Sequence, residues 1–166
     1  MNTLRETFLE ELADIYDAEK QLLTALPKLV KAAQNEQLKE GFEEHLEQTE
    51  EHVQRLEQVF EQFGEKAKAR KCKAMAGLLE EGQELIQEKA GDAALICAAQ
   101  KVEHYEIAAY GSLKSWAESL NQNDAADLLD ETLEEEKTTD EKLTEIAEGV
   151  VNQEESGEEP RKRRAA

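Results

Sequence analysis

Asp14-Ile15-Tyr16-Asp17-Ala18-Glu19-Lys20-Gln21-Leu22 puts an acid where a core residue belongs. Ile15 and Leu22 share one stripe of a helix, and Glu19, four residues after the first and three before the second, falls on it too. Lys101-Val102-Glu103-His104-Tyr105-Glu106-Ile107-Ala108-Ala109-Tyr110 repeats the arrangement, with Glu106 between Val102 and Ala109. Glu136 stands the same way between Leu133 and Leu143. The fold must therefore be helical, with carboxylates aimed at its own core.

Outward from these stretches, the same spacing continues. Leu4, Phe8, Leu12, Ile15, Leu22, Leu26, Leu29 and Ala33 predict a first helix over residues 2–34, which Pro27 should kink or split. Asn35 offers an N-cap to a second helix over 36–63, carrying Phe42, Leu46, Val53, Leu56 and Phe60 and stopped by Gly64. A basic linker, 65–72, leads to a short helix over 73–89. Gly91-Asp92 then opens a long helix over 92–120, and Asn121–Asp124 turns the chain into a last helix over 124–151. Short loops make two antiparallel hairpins, and the long middle crossover with its short helix is the ferritin-like variant of an all-α four-helix bundle. The bundle is expected over 1–153, followed by a disordered charged tail over 154–166. An offset of 87 superimposes Glu19 on Glu106, Ile15 on Val102, Leu26 on Leu113 and Leu46 on Leu133, the pattern an ancestral duplication leaves.

Composition narrows the function classes. A net charge of −19 disfavours nucleic acid as a partner of the folded body, and the basic run Arg161–Arg164 is a weak basis for DNA contact through the tail. No stretch approaches the ~20 apolar residues of a membrane span. The opening Met-Asn-Thr-Leu-Arg lacks the pattern of a secretory signal, and two cysteines are too few for a disulfide framework, so a cytoplasmic location is expected. Cys97, between Ile96 and Ala98, reads as a small buried hydrophobe, whereas the basic linker around Cys72 would lower a thiol pKa. Tyr16, Tyr105 and Tyr110 read as core or boundary aromatics.

Height along the helices brings the polar groups together. Glu19 and Glu106 each precede their turns, at Asn35 and Gln122, by 16 residues, and Thr49–His52 and Glu136–Thr139 follow them by 14 to 17. At ~1.5 Å per residue all four lie about 24 Å from the turns, in one slice of the bundle. Buried carboxylates at one level repel each other unless protonated, paired or bound to metal. Carboxylates with one or two imidazoles, from His45 or His52, suit iron or manganese in a dinuclear core site. Read from spacing alone, Glu103, Asp140 and His104 are rim residues whose heads reach water.

Residues 14–22 and 101–110, with His45-Leu-Glu-Gln-Thr49, Cys72-Lys-Ala-Met-Ala-Gly-Leu78 and Thr132-Leu-Glu-Glu-Glu-Lys137, resemble the YciF-like family of bacterial stress proteins over about residues 2–150. The resemblance implies a ferritin-like fold, a homodimer, a stress association and comparison with rubrerythrin for a dimetal centre. By position it implies Glu19, Glu103, Glu106 and Glu136 as carboxylate ligands and His45 as a nearby imidazole. Three places depart from the ferritin-like pattern. Glu-x-x-His on the second and fourth helices reads here as Thr49-x-x-His52 and Glu136-x-x-Thr139, and Gln48 stands where relatives carry Glu. The expected activity is reduction of O₂ or peroxide at iron or manganese held by Glu19, His45, His52, Glu103, Glu106 and Glu136. The alternative is a metal-free helical dimer acting as a protein–protein interaction module, its polar layer fixing register.

Overall fold

Thr3 starts the first helix. Its hydroxyl accepts the Glu6 N–H at 3.2 Å while the Glu6 carboxylate accepts the Thr3 N–H at 2.7 Å, a reciprocal cap. In the computed structural model, which describes residues 1–157, α1 then runs over Leu4–Ala32. It passes through Pro27 without a break, correcting the expected split: buried Leu22, Leu26 and Leu29 hold the helix on both sides of the missing N–H. It stops at Ala32 because the chain turns extended at Ala33.

The Asn35 side chain accepts the Leu38 N–H at 3.1 Å and caps α2, Glu36–Gln62. Gly64, at φ 73°, closes that helix, letting the Glu65 N–H reach the Phe60 carbonyl at 3.0 Å. The linker lies along α1, where the Arg70 N–H donates to the Ala13 carbonyl at 2.9 Å. Cys72 caps α3, Lys73–Glu88, its sulfur accepting the Met75 N–H at 3.3 Å. α4 spans Asp92–Ser119 and α5 Asn123–Ile146. The chain continues through a π-helical turn, Ala147–Val151, into α6, Asn152–Glu155. The expected boundary at residues 153 and 154 thus falls inside α6, and the tail beyond residue 157, with Arg161–Arg164, lies outside the described residues.

The secondary structure among the described residues is entirely helical, joined by turns and the linker. α1 packs on α2 and α4 on α5, the two pairs meet through α2 with α5 and α1 with α4, and α3 lies across α4 and α1. Phe8, Leu12, Ile15, Leu22, Leu56, Tyr110, Leu113 and Leu129 are buried in one continuous core, each such side chain stabilising by ~1.5–3 kcal/mol. One end is tied by charge. The buried Asp92 carboxylate accepts the N–H groups of Gln34 at 3.0 Å and Asn35 at 2.6 Å, fixing the start of α4 to the α1–α2 turn. Glu155 in turn accepts the Asp92 N–H at 2.6 Å. No helix among the described residues is long and apolar enough to cross a membrane.

Candidate metal centre

Each long helix delivers part of one buried layer: α1 Glu19, α2 His45 and His52, α4 Glu103 and Glu106, α5 Glu136. None is more than 2 % exposed. Helical period alone explains Glu19, Glu106 and Glu136, which share stripes with buried Ile15, Val102 and Leu133. Glu103 is a correction: it is buried rather than a rim residue, because α3 and α5 pack on either side of α4. Asp140 and His104 do stay at the rim, paired at 3.3 Å with the imidazole exposed.

Two groups form, and Glu136 belongs to both. Ligand atoms of His45, Glu103, Glu106 and Glu136 lie within 4.8 Å of one another, as do those of Glu19, His52 and Glu136. His45 Nε2 stands 3.4 Å from Glu103 Oε1 and 3.9 Å from Glu136 Oε2. His52 Nδ1 stands 3.4 Å from Glu19 Oε1 and 3.2 Å from Glu136 Oε1. These approaches lack hydrogen-bond geometry. Glu19 Oε2, His45 Nε2, His52 Nδ1, Glu103 Oε2 and both carboxylate oxygens of Glu106 and Glu136 are buried without a hydrogen-bond partner. Buried polar atoms are normally satisfied, so eight in one cluster is a set of lone pairs and acids converging on a common space.

Burial, with the neighbouring Glu136 charge, pushes the Glu103 and Glu106 carboxyls well above the ordinary range. Burial also raises Glu136, but the facing His45 and His52 imidazoles outweigh it and bring that carboxyl below its usual value. For His52 burial disfavours the charge, yet the Glu19 charge, the hydrogen bond to Glu135 and the nearby Glu136 carboxylate push the ring up to about 12. Without metal, protons held on Glu103, Glu106 and His52 offset part of the layer's negative charge.

Spacing did not reveal the residues behind the layer. Glu135 meets His52 Nε2 at 2.9 Å and receives Arg55 Nη2 at 3.0 Å and also Arg55 Nη1. Burial opposes its charge, but those hydrogen bonds hold Glu135 at about 2. An imidazole donating from Nε2 to this carboxylate keeps Nδ1 facing inward, where loss of its proton would expose a lone pair to a metal. Arg55, one turn after His52 on the same face, was the one available signal. Tyr110, expected as an ordinary core aromatic, donates its hydroxyl to Glu19. The Thr49 hydroxyl is turned onto its own helix, donating to the His45 carbonyl at 2.8 Å, and Thr139 Oγ1 lies 3.5 Å from His45 Nδ1.

Both cysteine expectations are reversed. Cys97 is exposed, while Cys72 is buried, its sulfur 3.0 Å from the Tyr105 hydroxyl, which donates to Asp14 at 2.7 Å. Burial, then the hydrogen bond to Asp14, push the Cys72 thiol up rather than down.

Comparison with known proteins agrees with this architecture. The family described as a domain of unknown function, DUF892, matches residues 3–156. Protein YciF of Escherichia coli (strain K12) is 52% identical over 157 residues, 92% of this chain and 95% of that protein. The crystal structure of the E. coli stress protein YciF superimposes with a TM-score of 0.88, over 92% of this chain and 99% of that one. YcfI of Rhodopseudomonas palustris, described as a candidate structural protein, is 43% identical with a TM-score of 0.84, over 86% of this chain and 94% of that one. A Xanthomonas campestris protein at 22% identity and TM-score 0.71, covering 91% of this chain and 94% of its own, shares the fold alone. The chain belongs to the YciF-like family, DUF892.

Proposed function

We propose that this chain is a stress-associated, ferritin-like cytoplasmic protein that holds a pair of iron or manganese ions in its bundle core. Four long helices with α3 in the connection between the second and third support the ferritin-like reading. The observation that carries the metal reading is the cluster of eight buried, unpartnered nitrogen and oxygen atoms on four helices. Hard carboxylates with two imidazoles fit iron or manganese, whereas a thiolate-poor, carboxylate-rich set fits zinc or copper less well. Glu19 and His52 would hold one ion, His45, Glu103 and Glu106 the other, with Glu136 common to both. Such a pair, when bound, supplies the electrons for reducing O₂ or peroxide. The protein's own part is to keep water out, to orient His52 through Glu135 and Arg55, and to hold a proton on Tyr110 beside Glu19.

A metal-free interaction module is the second reading, favoured by the protons that burial and neighbouring charges hold on Glu103, Glu106 and His52. Metal analysis of protein purified without a tag separates the two, together with thermal melting. A transition metal at 100 times its dissociation constant should add ~2.7 kcal/mol of stability. Melting curves unmoved by iron(II), manganese(II) and zinc(II) alike would leave only the interaction module.

A further inference from the structure

A cavity of about 690 Å³ lies between the carboxylate–imidazole layer and the end of the molecule where α1 turns into α2. That volume is in the ~300–1,000 Å³ range of small-molecule sites. Its walls are apolar: Leu22 and Leu26 from α1, Phe42 from α2, Val102 from α4 and Leu143 from α5. Leu79 and Ile86 of α3 cover it. Small residues keep it open. A Cβ on Gly82 would meet only Ala98 Cβ, at 3.9 Å, and one on Gly41 only Ile146 Cδ1, at 3.9 Å.

Two features give the space a direction. His45 and Glu103 form its inner end, both no more than 2 % exposed, and each has an unpartnered atom, His45 Nε2 and Glu103 Oε2. Lys20 and Lys28, two helical turns apart on α1, stand on its outer rim. Among the described residues Lys28 has no ion pair and Lys20 meets only the face of Tyr16, at 5.1 Å, so both cations, like Lys31 and Lys89, are uncommitted to an acid, and these two border the cavity. The acids on the rim are largely committed. Asp17 accepts the Cys72 N–H at 2.9 Å and Glu44 receives Lys142 at 2.7 Å, leaving Glu80 on α3 as the opposing charge.

We propose that this cavity binds a long-chain carboxylate, with its alkyl chain between the helices toward His45 and Glu103 and its head at Lys20 and Lys28. Such a ligand fits two features at once, apolar wall side chains that face an open space and two rim cations without an ion pair. Combined with the dimetal reading, on which this part rests, it names the substrate class of that centre. Binding itself needs no metal.

The test is calorimetric titration of the full-length, metal-free protein with straight-chain carboxylates of increasing length, held below their aggregation concentrations. Affinity should rise about fourfold per methylene, the equivalent of ~0.8 kcal/mol, and level off once the cavity is full. Lys20→Gln with Lys28→Gln should weaken carboxylate binding about tenfold and leave the alcohol of equal length unchanged. Ala99→Phe should abolish binding by filling the space, and Gly82→Leu, on the peripheral α3, does the same should Ala99→Phe not fold. Glu106→Gln keeps carboxylate binding even where it ends metal stabilisation, so the two readings fail separately. Absence of saturable binding, titrations untouched by both filling variants, or equal affinity for carboxylate, alcohol and ammonium heads would each overturn the proposal. So would carboxylate affinity that falls as the chain self-associates, which would assign the cavity to a second copy.

Discussion

Glu106 illustrates how much one buried side chain controls. Both its oxygens are unpartnered and its carboxyl is pushed well up by burial and by the charges of Glu136, Glu19 and Glu103. The folded, metal-free protein therefore retains protons at Glu103 and Glu106 that the unfolded chain loses above its ordinary value of 4.5. Stability from these groups drains away as pH rises from about 4.5 through the raised folded values. His52 acts in the same sense: its contribution is complete below 6.5 and is lost as pH climbs toward about 12. Glu136, held below 4.5, works oppositely, but only on the acid side. In chelator, then, melting temperature should fall from pH 6.5 upward, and Glu106→Gln should melt higher and with a shallower slope, yet gain nothing from metal. A chelated wild-type protein whose melting temperature rises over that interval would refute this electrostatic account. Glu135→Gln tests the support behind the layer. It weakens the hold on His52 Nε2, so metal affinity should drop ~10–100-fold by competition with a chelating dye, while the helix content stays the same. Unchanged affinity would remove Glu135 from the centre.

At the scale of elements, the ends of helices do as much as their faces. Asn35 and Gly64 were legible in the sequence because capping is a local chemistry of neighbouring residues, whereas Thr3, the cap of α1, fell inside the helix expected from residue 2. Asp92 was legible only as a helix start. That its carboxylate receives the N–H groups of Gln34 and Asn35, 58 and 57 residues away in the chain, depends on the two hairpins lying side by side. Asp92→Ala strips two backbone donors of their charged, buried acceptor, each such hydrogen bond to a charged group contributing ~1.5–3 kcal/mol. Urea denaturation should show a loss of about 2 kcal/mol or more, with an unchanged denaturant slope. A loss within error would mean water replaces the carboxylate. Pro27 gives the converse lesson. Propensity argues for a break, but packing of Leu22, Leu26 and Leu29 overrides it.

For the whole molecule, assembly is the open consequence of the surface. Leu9, Tyr16 and Leu23 recur every seven residues on α1, a spacing that offers a second apolar stripe. Tyr16 is instead spent inside the chain, edge-on to Phe60 with its hydroxyl donating to Glu57 at 2.7 Å. Leu9 and Leu23 remain half-buried, and among the described residues Met1 and Leu4 are the large apolar side chains left exposed. The homodimer that the family resemblance implies would cover such half-buried positions rather than a bare patch. Sedimentation at micromolar concentration should give twice 18.7 kDa, and a single species at 18.7 kDa would contradict it.

What the sequence determined by itself follows from two numbers of the α-helix. A period of 3.6 residues aims Glu19, Glu106 and Glu136 inward, and a rise of ~1.5 Å per residue sets His52 at their height, so four helices and a common layer could be counted out from Asn35 and Gln122. Those quantities belong to each helix alone. Whether Glu103 reaches water, which carboxylate backs His52, why the linker buries Cys72 and leaves Cys97 outside, and where a 690 Å³ space remains all depend on what packs against a helix face. Only the tertiary structure decided them, because period assigns a side chain a direction about its own axis, while burial is assigned by the neighbour it meets there.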